Sequence, residues 1–231
     1  MPGLGIGKIH RVRYNVTSWQ NVQQLQVKRM LEYERELWEQ GKLYIAGMDE
    51  VGRGCLFGDV VAAAVILPQG LVLEDVNDSK QISEKKREAL YEIIMEKALA
   101  VGVGIVDVAT IERINIKQAA RLAMKEAVEK LNLTPDMLLV DAEKVDVPIE
   151  QLAIIHGDAR SQSIAAASII AKVTRDRMCF QWDVEYPEYG IAIHKGYATK
   201  KHREAIQEYG PSPMHRKTFL KKIVYEQQLL F

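Results

Sequence analysis

The sequence predicts a mixed α/β sheet flanked by helices, with a C-terminal helical segment. Three observations predict it. Short apolar runs bounded by Gly or Pro occur at 43–48, 60–67 and 101–108. Helical periodicity at 116–131 and 161–180 alternates with further apolar runs at 137–140 and 151–156. Beyond Pro187 the chain loses regular periodicity, and Pro211 and Pro213 interrupt a basic end.

Taken in order, Val22, Leu25, Val27, Leu31 and Leu37 have roughly helical spacing across 21–40, and Gly41 ends that helix. The stretch Gly3-Leu4-Gly5-Ile6-Gly7 has the look of a phosphate loop, but it follows no strand and opens no helix. Ser83 caps a helix predicted over 84–100, with Lys86 where a capping box needs Glu or Gln. Gly102 and Gly104 alternate with Val101, Val103 and Ile105, a period of two that reads as strand. Ala165-Ala166-Ala167 gives the 161–180 helix a face that packs closely. A helix at about 199–209 and a final basic helix complete the chain.

At 231 residues the chain can bury a substantial core without disulfides or structural metal. Formal net charge is zero, so only local charge is informative about partners. Lys8, Arg11, Arg13, Lys28 and Arg29 precede the first acid, Glu32. Between 194 and 222 stand Lys195, Lys200, Lys201, Arg203, Arg216, Lys217, Lys221 and Lys222 against Glu204 and Glu208. Such segments meet phosphates, or they are simply solvated helix faces. Cys55 and Cys179 lack the spacing of a zinc site, and a reduced cytoplasmic setting is the simplest expectation. The longest apolar run, Val60 to Leu67, is too short to span a bilayer, so no membrane association is expected.

Four carboxylates stand out by position. Asp49 and Glu50 follow directly on the apolar run 43–48, Asp141 follows the run 137–140, and Asp158 precedes the alanine-rich helix. Ligands of α/β sheets collect at the carboxyl ends of strands and at helix N-termini. A cluster of acids repels itself until divalent cations neutralise it. Mg²⁺ needs only a few carboxylates, because it keeps several waters and accepts substrate phosphate. Neighbouring strand residues point to opposite faces, so Asp49 and Glu50 share a site only if the strand ends or bends between them. Taken singly, each acid reads as readily as a cap or a surface residue.

Several segments together resemble the ribonuclease HII family. They are Gly47-Met48-Asp49-Glu50-Val51-Gly52-Arg53-Gly54, Asn77-Asp78-Ser79-Lys80, Leu138-Leu139-Val140-Asp141, Gly157-Asp158 with Ser163 to Asp176, His194-Lys195-Gly196-Tyr197, and Gly210-Pro211-Ser212-Pro213-Met214-His215-Arg216. They run in family order over about 43–220. The resemblance implies an RNase H-like fold over 41–190, preceded by a basic leader and helix at 1–40. A basic segment at 191–231 then completes the substrate site. It implies a metal site of Asp49, Glu50, Asp141 and Asp158 holding Mn²⁺ or Mg²⁺. It places Gly52, Arg53, Gly54 and Tyr197 against the ribose at an RNA–DNA junction, and makes Lys80, Arg53 and the basic C-terminal segment candidates for phosphate contacts. The sequence departs from the family at Cys55-Leu56-Phe57-Gly58-Asp59, where Pro and a Gly-Pro pair are usual, and at His156, where Lys is usual.

The implied activity is metal-dependent hydrolysis of RNA in RNA–DNA hybrids and 5′ of single ribonucleotides in duplex DNA, leaving 5′-phosphate and 3′-hydroxyl ends. A monomer is expected. Ribonuclease HIII is the nearest rival. Gly52-Arg53-Gly54, an Asp at 158 and a short leader favour HII over it. A non-catalytic nucleic-acid-binding protein on the same fold is the rival from another class, and the intact set of four acids speaks against it.

Overall fold

The computed structural model describes residues 29–74, 76 and 82–221. Most of the basic leader, Lys80 and the last ten residues lie outside them. Five strands form one sheet in the order β3-β2-β1-β4-β5. They are β1 (Ile45–Val51), β2 (Val60–Ile66), β3 (Ala100–Val106), β4 (Met137–Asp141) and β5 (Gln151–Ile154). β1, β2 and β3 form an antiparallel meander, whereas β4 and β5 run parallel to β1. The mixed sheet flanked by helices is as the sequence predicts.

The helices are α1 (Glu32–Glu39), α2 (Glu84–Lys97), α3 (Val108–Ile114), α4 (Ile116–Glu129), α5 (Gln162–Glu185), α6 (Ile191–His194) and α7 (Lys200–Tyr209). Several boundaries differ from expectation for local reasons. Leu31 is the N-cap of α1, so the helical turn at 29–30 is not continuous with it. α2 stops at Lys97, because Ala100 already pairs with Ile66 in the sheet. Asp107 accepts from the Thr110 N–H and starts α3, a helix the sequence reading missed by running the strand on to Val108. α5 continues five residues past Phe180, with Trp182 still buried.

Each sheet face carries one long helix. Ala46, Met48, Ala62, Ala64, Leu138 and Val140 face α4. Ala63 and Val65 of β2 face Ala165, Ala166, Ile169 and Ile170 of α5. Both helices lie unusually close to the strands, and glycines permit it. A Cβ on Gly104 would lie 1.9 Å from Ala123 O, and one on Gly102 2.0 Å from Ala127 O. A Cβ on Gly47 would lie 1.9 Å from the Ser163 carbonyl carbon. The alternation of Gly102 and Gly104 is therefore a strand seating a helix backbone.

A third cluster joins Leu56 and Phe57 to Trp182, Tyr189, Ile191, Ile206 and Leu220. It brings Ile206 and Leu220 into one cluster with the loop between β1 and β2.

We predict that Gly104→Ala, which forces the new methyl into Ala123 O, costs about 3 kcal/mol, at the upper end of the overpacking range. Ile105→Ala, on the partly exposed face of the same strand, should cost less than about 1 kcal/mol. Urea unfolding of both variants checks this. Equal losses would mean that close helix approach is not what Gly104 provides.

Candidate active site

β1 runs through the acids instead of ending before them. Asp49 pairs with Ala63 and Glu50 with Ala62. This corrects the expectation that both follow the strand, and the reason is that β2 continues to pair up to Val51↔Val61. The alternation of faces therefore holds. Gly47 meets Ser163 of α5, and Asp49 takes a hydrogen bond from Ser168 of the same helix. Met48 faces α4, so Glu50 is on the α4 side. The backbone N–H of Glu50 donates to Asp49 Oδ1 at 2.7 Å.

Asp141 brings the two faces together. It ends β4, and Met48↔Val140 is the last paired position with β1, so the next step in register sets Asp141 beside Asp49. Its charge acts on both Asp49 and Glu50. Asp141 Oδ1 also accepts from the Gly157 N–H at 2.7 Å. Gly157 and Asp158 belong to a 3₁₀ turn, Gly157–Ala159, that leads into α5, and Asp158 is buried. The four acids thus come from the ends of two adjacent strands and from the turn before the helix that packs on them.

The electrostatics are unfavourable as they stand. Burial pushes the Asp49 carboxyl well above its usual range, and the charges of Glu50 and Asp141 add to this against the Ser168 hydrogen bond. Burial also raises Glu50. Its bond to Arg53 Nη1, at 3.0 Å, opposes the shift, while Asp141 and Glu143 reinforce it. Glu50 Oε2 is buried with no hydrogen-bond partner. Among the described residues, no group of three or more His, Cys, Asp or Glu side chains closes into a ready-made metal cage. An orphaned carboxylate oxygen beside two like charges nonetheless fits a hard divalent cation that keeps waters and takes its remaining ligands from substrate.

The glycine turn lies next to the acids. Gly52 has φ +95°, which favours glycine, and a Cβ there would also fall 2.4 Å from Arg175 Nε. Arg53 and Gly54 are exposed. A Cβ on Gly54 would come 4.0 Å from the Tyr197 ring, and Tyr197 is 42% exposed, so it is no ordinary core aromatic. Burial and the neighbouring Cys55 raise the Tyr197 phenol pKa. Cys55 is a buried free thiol that donates to Lys195 O. Three of the non-glycine residues with positive φ flank these groups. Ala142 follows Asp141, His156 precedes Gly157, and Lys195 precedes Gly196-Tyr197. Such strain persists only where the surroundings over-determine it, and it concentrates at functional sites.

One sequence reading changes. Arg216, counted among the basic residues available to phosphate, is fully buried and binds backbone carbonyls. The exposed Arg53 side chain pairs with Glu50. Asp59 turns toward the start of α3, where the Val108 N–H donates to it and Asp107 repels it. Sequence reasoning also missed Arg175 as a site-supporting residue. It lies inside the long motif 163–176, and no property of a lone Arg in a helix marks it as buried.

The raised Asp49 pKa has a definite consequence. The folded state holds that proton more tightly than the unfolded chain. The contribution of Asp49 to stability is therefore fully present at low pH and is lost as pH rises from the ordinary value near 3.8 through the folded one. Asp49→Asn removes this loss. In metal-free buffer at pH 7–8 it should melt about 2–4 °C or more above the wild type, and the gap should narrow as pH falls toward 4. Calorimetry across that range checks it. A lower melting temperature at neutral pH would refute the strained-acid account.

Residues 46–222 match the family described as Ribonuclease HII. A ribonuclease HII from Alkaliphilus metalliredigens is 61% identical over 200 residues, which is 84% of this chain and 98% of that protein. One from Ruminiclostridium cellulolyticum is 46% identical over 96% of this chain and 88% of its own length. The crystal structure of ribonuclease H2 from Pyrococcus horikoshii superposes with a TM-score of 0.68 at 25% identity, covering 80% of this chain and 99% of that one. No helix among the described residues is long and apolar enough to cross a membrane. The family match spans the acid-bearing strands, the glycine turn and the segment from 191 to 222 together, and the chain belongs to the ribonuclease HII family of endoribonucleases.

Proposed function

We propose that this endoribonuclease hydrolyses the RNA strand of RNA–DNA hybrids and cuts duplex DNA on the 5′ side of a single embedded ribonucleotide. The observation that carries the reading is the mutual strain of Asp49, Glu50 and Asp141 beside an exposed turn faced by Tyr197. Asp49, Glu50, Asp141 and Asp158 would hold the metal. When bound, two divalent ions, Mg²⁺ or Mn²⁺, supply the charge that activates water and stabilises the leaving oxygen.

The chain's own residues do the rest. Glu50 Oε2, unpartnered and buried, supplies a ligand with no internal bond to give up. Ser168 and the Glu50 N–H hold the Asp49 carboxylate in one orientation. The Gly157 N–H fixes Asp141 in the same way. Gly52, Arg53 and Gly54 offer close backbone approach to a ribose, and the Tyr197 ring closes the far side, where a 2′-hydroxyl distinguishes RNA from DNA. Lys200, Lys201 and Arg203, exposed on α7, suit phosphate contacts that position the duplex without reading it. Lys80 completes that set. Hydrolysis leaves 5′-phosphate and 3′-hydroxyl ends, and the segment 191–231 acts as part of the substrate site.

The test is cleavage of a DNA duplex carrying one ribonucleotide, with Mg²⁺ or Mn²⁺ and with EDTA. Asp141→Asn should lower turnover by about a thousandfold or more while remaining folded by circular dichroism. Tyr197→Ala should lower cleavage at the ribonucleotide by about ten- to a hundredfold, with all-DNA binding nearly unchanged. Wild-type turnover in Asp141→Asn would remove the acids from the chemistry. A Tyr197→Ala loss explained wholly by unfolding would remove Tyr197 from ribose recognition.

A further inference from the structure

The C-terminal signature Gly210–Arg216, within the segment 191–231, is bound tightly to the loop that follows the acids. The Gly58 N–H donates to Met214 O at 2.9 Å, and the Arg216 N–H donates to Leu56 O at 2.8 Å. Phe57 and His215 form an isolated antiparallel bridge. His215 is itself fixed by the Ser212 N–H, by His202 at 3.1 Å and by the edge of Phe57.

From this clasp the Arg216 side chain enters the loop. Its Nη1 donates to Gly52 O at 2.7 Å and to Arg53 O at 3.2 Å, while Nε and Nη2 donate to Gly58 O at 2.9 and 2.6 Å. Arg175 lies on the same loop. Its Nε, Nη1 and Nη2 donate to the carbonyls of Asp59, Lys195 and Phe57. Both arginines are fully buried, and neither forms an ion pair among the described residues. Burial pulls the Arg216 guanidinium down to about 10. Burying two such cations on carbonyls alone is costly, so they are poor candidates for simple stabilising devices.

Peptide geometry shows what the arrangement achieves. A trans peptide points its N–H opposite to its C=O, and the described chain has no cis bond. Drawing Gly52 O and Arg53 O inward onto Arg216 turns the N–H groups of Arg53 and Gly54 outward. Both residues are exposed, and neither N–H meets an acceptor among the described residues. The turn therefore presents two successive free donors beside Tyr197. A guanidinium holds three carbonyls in one plane through its fork of donors, and an ammonium cannot span them.

We propose that Arg216, seconded by Arg175, is a positioning residue for ribose recognition, holding the Gly52–Arg53–Gly54 turn so that its two free N–H donors face the substrate. This rests on the reading of that turn as the ribose-contacting element.

The test compares Arg216→Lys with its parent in an Asp141→Asn background, so that substrate is bound and not cut. Binding is measured to a DNA duplex with one ribonucleotide and to the same duplex in all-DNA form. The parent should prefer the ribonucleotide duplex. Arg216→Lys should weaken that binding about tenfold while leaving all-DNA binding within about threefold. Arg175→Lys should shift the preference in the same direction, and it carries the test if Arg216→Lys does not fold. Ile206→Ala, a buried residue of the same segment, should lower the melting temperature and keep the preference. A preserved preference in the arginine variants overturns this inference alone, as does an equal loss in Ile206→Ala. A parent with no ribose preference overturns the reading of the turn, and this inference with it.

Discussion

Everything at the site depends on how closely α5 approaches β1. Gly47 lets the first turn of that helix lie directly on the strand backbone, where a side chain would collide with the Ser163 carbonyl. That contact sets the height at which Asp49 meets Ser168. It also sets where the turn before the helix delivers Gly157 to Asp141. Glu34 of α1 reinforces the same point from outside, accepting from Ser161 Oγ at 2.6 Å and from the Ser163 N–H at 3.0 Å. Asp49 is placed by a packing contact two residues upstream of it, and the repulsion among the acids is borne by that contact.

That repulsion separates what the site needs from what the fold needs. A hydrophobic core of Ala, Val, Ile and Met on both sheet faces carries stability. At the carboxyl ends of β1 and β4 and in the turn after β5 the chain accepts buried like charges, an orphaned carboxylate oxygen and backbone strain at Ala142 and His156. Local conflict of this kind persists only when the rest of the structure over-determines it.

The sheet was legible in the sequence wherever periodicity was clean. β2, with seven consecutive buried residues, and β3, with its alternating glycines, stood out as strands, and Ser83 marked a helix start. Asp49 and Glu50 were visible as acids, but not as strand residues, because pairing with β2 is a tertiary fact that overrides the end of an apolar run. α3 was missed because Val108 extends a β-branched run, and only the Asp107 cap breaks it. The grouping of the acids could be argued from strand ends and was named through family resemblance. The two buried arginines could not be read at all. A basic residue in a basic segment gives no sign that its partners are carbonyls more than a hundred residues away.

That separation in sequence also orders events in time. The bond from Arg216 to Gly52 O spans 164 residues, and contacts of such span form late because loop closure must be paid for first. A chain emerging from the ribosome can pair β1 with β2 long before residue 216 exists, and β4 can join them with Asp141 in place. The turn gains its carbonyl anchor only when the segment around Arg216 is free to fold back. Asp49, Glu50 and Asp141 can thus be brought together before residue 216 is made, and the conformation of the Gly52–Arg53 turn is settled only afterwards, by chain that lies far beyond it in sequence.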